Sequence, residues 1–372
     1  MRFEELTTPC YVVDEEKLTE NLSILRGIAE RTGAKILLAQ KAFSMFSVYP
    51  LIGKYLDGTA ASGLYEARLG KEEMGGETHI FSAAYREDEF AEIAGLCDHI
   101  VFNSLAQFEK FRGLAAGKTL GLRINPEHST QNHAIYDPCG EFSRLGVTRA
   151  QLEGADLAGI SGLHFHTLCE QNADALEETL DAVEKQFGDI LPRMEWINFG
   201  GGHHITRPSY DIPRLERCIG RMQEKYGLSV YLEPGEAVAL NAGTLVTTVL
   251  DAVCNGREIA IVDASAACHM PDVLEMPYTP PLRGAGKPGE KVALCRIAGP
   301  TCLAGDVIGD YSFDRTPRPG DRLVFEDMAI YTMVKNNTFN GMRLPDLVLR
   351  EKSGDYRLVK RFEYRDFKYR LS

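Results

Sequence analysis

Lys41 closes the apolar run Ile36-Leu37-Leu38-Ala39-Gln40-Lys41. A lysine at the C-terminal tip of a strand is placed to lose its water. Desolvation lowers an amine's pKa and makes it a nucleophile toward aldehydes. Alone, such a lysine reads as a surface residue ending a strand. Here three more features follow at strand ends: His166 in Leu163-His164-Phe165-His166, Gly200-Gly201-Gly202 after Trp196-Ile197-Asn198-Phe199, and Glu233 in Tyr231-Leu232-Glu233-Pro234-Gly235. A glycine run lets backbone N–H groups approach an anion closely. A carboxylate can keep an aromatic ring nitrogen protonated, and an imidazole can lie on a ring face. Taken singly, these are a plain turn, a strand-end carboxylate and a core histidine.

Together they supply an amine for an aldehyde, a cradle for a phosphate, a partner for a ring nitrogen and a group for the ring face. Those are the four things pyridoxal phosphate asks of a protein. A metal site is not expected. His164, His166, His203 and His204 cluster in the sequence, but adjacent residues of an extended chain point opposite ways, and no Cys-x-x-Cys accompanies them.

The elements that must position these residues alternate in kind. Short apolar runs at 36–40, 57–61, 79–82, 99–103, 119–125, 160–166, 195–199 and 229–233 read as strands. Between them, 64–75, 86–96, 104–115, 172–187 and 211–226 read as helices. Strand–helix alternation implies parallel pairing, and eight units imply a closed (β/α)8 barrel of the TIM type. The alternative is an open doubly wound sheet. A barrel carries its active site at the C-terminal strand ends, where Lys41, Asn125, His166, Gly200–Gly202 and Glu233 fall. After about residue 238 helical periodicity fades. Apolar runs at 258–262, 291–298, 321–326 and 346–349 are punctuated by Pro277, Pro280-Pro281, Pro288-Gly289 and Pro319-Gly320. That pattern predicts an antiparallel β domain. The division is therefore a barrel over 14–238 and a β-sandwich or Greek-key-like domain over 239–372, with residues 1–13 adding a strand to it. Tyr356–Tyr369 reads as a closing strand and surface tail.

Composition sets limits. The 372 residues are 44% hydrophobic, enough for a large core, and carry a net charge of −12. That charge argues against nucleic acid and anionic membranes as partners and suits a cationic substrate. Met1-Arg2-Phe3-Glu4-Glu5 has no apolar leader, and no run approaches 18 apolar residues. With nine cysteines, an odd number, the expectation is a cytoplasmic protein with free thiols.

The chain resembles, over essentially its whole length, the pyridoxal-phosphate decarboxylases with an alanine-racemase-like barrel, which act on ornithine, arginine or diaminopimelate. The resemblance rests on Thr8-Pro9-Cys10-Tyr11-Val12-Val13-Asp14, Ala39-Gln40-Lys41-Ala42-Phe43, Phe165-His166-Thr167, Asn198-Phe199-Gly200-Gly201-Gly202, Glu233-Pro234-Gly235, Gly299-Pro300-Thr301-Cys302 and Ala329-Ile330-Tyr331-Thr332 with Thr338-Phe339-Asn340-Gly341. It implies that Lys41 holds the cofactor aldehyde, His166 stacks on its ring and Glu233 meets the ring nitrogen. It implies that Gly200–Gly202 and Tyr331 hold the phosphate, and that Phe339 lines the substrate pocket. It also implies a homodimer with shared active sites, in which Cys302 reaches the partner's site. By the same resemblance Cys302 would return the proton after carbon dioxide leaves, with Lys41 as the alternative.

Departures from the family pattern point to the substrate. Many relatives have a phosphate-holding arginine after Glu-Pro-Gly, where this chain has Glu236. A carboxylate repels phosphate and suits an ammonium. The resemblance to the polyamine-forming branch, whose substrates are carboxylated triamines, implies the same for Asp272. Several relatives have an acid directly after the cysteine. Here Leu303 follows Cys302, and acid returns at Asp306, which reads either as a substrate contact or as a turn residue beside Gly305. Arg144 is a further candidate for a carboxylate. The alternatives are a diaminopimelate decarboxylase, which needs a cation where Glu236 and Asp272 stand, a single-barrel pyridoxal-phosphate carrier, which lacks the β domain, and a racemase, which usually places a tyrosine where Cys302 is.

Overall fold

Strand β1 (Cys10–Asp14) and a helix over Glu15–Thr32 precede eight short strands. These are β2 (Lys35–Ala39), β3 (Gly58–Ala61), β4 (Glu77–Phe81), β5 (His99–Phe102), β6 (Thr119–Arg123), β7 (Gly162–His164), β8 (Trp196–Asn198) and β9 (Ser229–Leu232). They close into a barrel, β2 to β9, in which each neighbouring pair is parallel. Closure brings Lys35 opposite Tyr231 and Ile36 opposite Leu232. The computed structural model describes residues 1–131 and 133–372. All eight expected strands are present, and the open-sheet alternative is excluded by closure.

The barrel strands are apolar almost throughout because both faces are covered. Lys35–Ala39 is buried at every position but the first. The covering helices are amphipathic. In Ile212–Tyr226, Leu215, Cys218, Ile219 and Met222 are buried, at spacings of three and four. Asp211 caps that helix by accepting the Arg214 N–H at 3.0 Å, and Gly227 ends it with φ of 70°. Inside the barrel, the chain's one tryptophan packs with Leu37, Ala60, Val101 and Tyr231. Its indole occupies the space a Cβ would take at Gly121 and Gly162. The strand starts on that side also carry a polar network. Glu77 pairs with Lys35 and accepts from His79 Nε2 at 2.9 Å, and the rings of His79 and His99 stack at 3.9 Å. This end of the barrel is filled.

Seven further strands follow: β10 (Gly243–Cys254), β11 (Glu258–Val262), β12 (Ala293–Ala298), β13 (Val307–Phe313), β14 (Arg322–Glu326), β15 (Asp346–Arg350) and β16 (Tyr356–Lys360). They join β1 in one sheet of order β13-β12-β11-β10-β1-β15-β16, with β14 also on β10. Long β10 serves β1 and β14 with its first half and β11 with its second, the change falling at a bulge between Val249 and Asp251. The antiparallel expectation is corrected here: the sheet is mixed. β1 pairs parallel with β15, and β11 with β12. Residues 263–292 give β11 and β12 the crossover that a parallel pair requires, with short helices at Ala266–His269 and Asp272–Glu275. β1 and β15 come from opposite ends of the sequence, so no turn sets their direction.

The chain divides into two compact units, Met1–Glu20 with Ala239–Ser372, and Asn21–Val238. The first has its own core around Tyr11, Leu245, Ala260, Ile297, Tyr311 and Phe325. All nine cysteines are free. No helix among the described residues is long and apolar enough to cross a membrane.

Candidate active site

At the C-terminal ends of the barrel strands, Lys41 follows β2, His166 follows β7, Gly200–Gly202 follows β8 and Glu233 follows β9. The structure brings the first two into contact: Lys41 Nζ lies 3.3 Å from His166 Nε2. His166 Nδ1 accepts the Gly201 N–H at 2.8 Å. Asn198 binds the remaining pieces together. Its Nδ2 donates to Glu233 Oε1 at 2.7 Å, and its Oδ1 accepts the Gly200 N–H at 2.8 Å. The glycine run has no room for side chains. Gly200 and Gly202 have φ of 69° and 83°, and a Cβ at either would overlap the Phe165 or Leu168 carbonyl. Two of the three glycine N–H groups are thus spent on protein acceptors, and Gly202 is the one left to face an anion among the described residues.

Burial lowers the Lys41 amine, the Arg123 charge adds to that, and Glu233 opposes it. Burial, then the charges of Lys41 and Arg123, hold the His166 imidazole well below its ordinary range. Glu233 goes the other way. Burial pushes its carboxyl up, but His164, His79 and the Asn198 amide outweigh burial and bring it down to about 2. It is a buried, permanently ionised carboxylate. Buried Arg123 was not singled out from the sequence. It donates to the His166 carbonyl at 3.0 Å, lies 4.5 Å over the Phe81 ring and is lowered to about 10 by burial. His164, whose Nε2 is 3.4 Å from Glu233 Oε2, and Asn198 were also missed as site residues. Their signal was present: both fall on the last residue of a barrel strand. A nucleophilic amine, an imidazole, an ionised carboxylate and a loop only glycine can form fit pyridoxal phosphate.

A second group flanks this one. Glu236 accepts from His204 Nε2 at 3.2 Å, and Glu170 completes a trio whose ligand atoms lie within 4.8 Å of one another. His203 turns instead toward the Phe199 carbonyl at 3.4 Å. Cys169 feels the charges of Glu236, Glu170 and Lys41, which links the trio to the amine. Glu170 was not expected, since nothing in the loop sequence Cys169-Glu170-Gln171 marks it.

The sheet unit holds the other candidates. Cys302 is exposed, and its N–H donates to Asn340 Oδ1 at 2.7 Å. Phe339 is half exposed and begins a single helical turn, Phe339–Gly341. Tyr331 has φ of 56° and starts the helix Thr332–Lys335. Two candidates are engaged within the sheet unit itself. Asp306 is buried, and its Oδ1 accepts the Ala266 N–H at 2.7 Å while Oδ2 accepts the Thr301 hydroxyl at 2.7 Å. It ties two loops together and has no carboxylate oxygen to spare for substrate. Asp272 shares the Lys335 ammonium with Glu275, so two carboxylates meet one cation inside the sheet unit. Arg144 is held through its carbonyl, which accepts from Asn103 Nδ2 at 2.8 Å.

The model of the pyridoxal-dependent decarboxylases, described by their C-terminal sheet domain, matches residues 10–329. The chain belongs to that family. Its enzymes depend on pyridoxal phosphate, as the barrel-end residues imply. The enzyme is 45% identical to the carboxynorspermidine/carboxyspermidine decarboxylase of Campylobacter jejuni, with both chains covered completely. It is 42% identical to the carboxyaminopropylagmatine decarboxylase of Synechocystis, over all of this chain and 97% of that one. The crystal structure of carboxynorspermidine decarboxylase from C. jejuni in complex with norspermidine superposes with a TM-score of 0.92, at 45% identity, covering 98% of this chain and all of that one.

Proposed function

We propose that the enzyme removes the α-carboxylate of carboxynorspermidine and carboxyspermidine, releasing norspermidine and spermidine. The observation that carries this reading is complete-length 45% identity to an enzyme of that activity. The geometry supports it. An acid stands at 236, where a phosphate-binding arginine is common in the family, and it lies among groups that suit a polycation.

Bound pyridoxal phosphate supplies an electron sink for the pair left when the carbon–carboxylate bond breaks. Lys41 would hold its aldehyde carbon. Glu233, ionised at all working pH, would keep the ring nitrogen protonated. His166 would cover a ring face, and Gly202 and Tyr331 would meet the phosphate. Cys302 of a second copy, or Lys41 itself, would return a proton to the α-carbon, and Phe339 would line the substrate path. Exposure of the Cys302 thiol supports a role outside its own subunit.

A second reading is favoured by the 42% identity to the Synechocystis enzyme. Its substrate ends in a guanidinium where the triamines end in an ammonium, and carboxylates suit either. The first test is carbon dioxide release from purified protein reconstituted with pyridoxal phosphate and given carboxynorspermidine. Cofactor-dependent release with equal norspermidine is expected. No release by a fully reconstituted protein contradicts the reading.

A further inference from the structure

The trio of Glu170, Glu236 and His204 is an unusual thing to leave beside a reactive amine. Two carboxyls meet one imidazole, so the group is acid-rich whatever the ring's protonation. His204 is 3% exposed, its Nε2 is aimed at Glu236 and its Nδ1 has no protein partner. Arg207 Nη2 is 3.8 Å from Glu170 Oε2 and half exposed, so it neutralises little. The backbone fixes where the trio lies. Gln171 N–H donates to the Gly202 carbonyl at 3.0 Å and His204 N–H to the Gln171 carbonyl at 3.2 Å, so the Glu170 loop is stitched to the glycine loop. Glu236 is three residues beyond Glu233. Both acids therefore stand on the rim that carries Lys41.

We propose that Glu170 and Glu236, with Glu236 oriented by His204, form the seat for the internal secondary ammonium of the substrate chain. The inference rests on the polyamine reading above and adds to it which group of the substrate is held and by which residues. The carboxyls of Glu170 and Glu236 lie within 4.8 Å of one another and of the His204 ring nitrogen. Burial first, and then Glu236, raise the Glu170 carboxyl, with His204 and Arg207 opposing. An arriving ammonium brings a positive charge between the two acids, where it relieves their mutual repulsion. The two carboxylates then close on one N–H2 group. A group of this kind discriminates strongly, because a chain lacking the amine would leave both acids facing a methylene. His204 acts on Glu236 and not on substrate, so it is a positioning residue.

Norspermidine and 1,7-diaminoheptane separate this role from a structural one. They share their length and end groups and differ in one NH replaced by CH2. Calorimetry on the holoenzyme is expected to show norspermidine binding tighter by about tenfold or more, the scale of a charge pair lost from a partly buried site. In Glu170→Gln and in Glu236→Gln that gap should shrink to about threefold or less, with diaminoheptane little changed. Norspermidine binding should also tighten as pH rises and the raised Glu170 carboxyl ionises, and Glu170→Gln should flatten that rise. His204→Gln should weaken norspermidine less than either carboxylate variant. A gap that persists in both Gln variants, including one kept because both ligands weaken equally, overturns the inference. If the unaltered enzyme decarboxylates no carboxylated triamine, the function reading has failed instead, and that result is distinct from either.

Discussion

Lys41 Nζ stands 3.3 Å from His166 Nε2, and the backbone decides which of the two carries the proton between them. Gly201 N–H already donates to Nδ1 of the ring, so a neutral His166 has its own hydrogen on Nε2. That hydrogen points at an amine that can accept it only if the amine is neutral. The lowered Lys41 amine and the lowered His166 ring both fit this arrangement.

The consequence is a lysine ready to attack an aldehyde at lower pH than an ordinary lysine. The rate at which cofactor-free protein captures pyridoxal phosphate should level off below pH 10.5, the ordinary lysine value. A rate still climbing through 10.5 would mean that Lys41 is a normal ammonium.

Glu233 predicts a different behaviour. With its carboxyl held at about 2, it is ionised through any working range, and no acid limb of the activity profile should belong to it. Replacement by glutamine removes the charge while keeping the Asn198 contact. Turnover is expected to fall by about a hundredfold or more, with KM little changed, because the charge acts on the developing electron pair and not on substrate binding. Unchanged kcat in Glu233→Gln would remove it from the chemistry.

The eight barrel strands could be read from the sequence because a parallel strand buried on both faces is an apolar run, and Ile36-Leu37-Leu38 needs no partner to declare itself. Lys41, His166 and Glu233 could be placed because they follow such runs. The parallel pairs β1–β15 and β11–β12 had no such signal, since strand direction is set by distant partners. Strand β13 was not expected: Gly309 and Asp310 interrupt its apolar pattern. Asp306 stayed open between a turn residue and a substrate contact for a related reason. Its acceptors are filled by the backbone of Ala266, some forty positions away, and nothing local announces that. Glu170 lay outside any periodic segment, so only folding shows it meeting Glu236.

The filled end of the barrel gives a stability prediction. Burial pushes the Glu77 carboxyl up, but hydrogen bonds from His79 and Lys35 bring it down to about 2 from 4.5. A depressed carboxyl stabilises the fold above its unfolded pKa, and that contribution fades as pH falls toward the folded one. Glu77→Gln should cost about 1 kcal/mol at pH 7 once solvent screening is allowed for. In urea unfolding the gap should hold from pH 7 to about 5 and narrow below that. A gap that widens on acidification would assign the effect to packing instead.

Cys302 carries the prediction for assembly. Cys254 and Cys302 are the two exposed thiols, and the other seven are buried or partly so. In dilute protein both should react fast with iodoacetamide. At concentrations where copies associate, Cys302 alone should become slow, and Cys302→Ala should lower turnover without lowering the melting temperature. Equal labelling at every concentration, in fully active enzyme, would rule out a Cys302 shared between subunits.

The most direct measurement is product identity and kcat/KM for carboxynorspermidine, carboxyspermidine, carboxyaminopropylagmatine, meso-diaminopimelate, ornithine and arginine offered in parallel to the holoenzyme. The account predicts norspermidine and spermidine as the products formed fastest, with the short amino acids slower by about a hundredfold or more, since their chains lack the internal amine. Aminopropylagmatine as the dominant product would transfer the substrate assignment to the guanidinium-ended chain. Lysine or putrescine as the dominant product would contradict it outright.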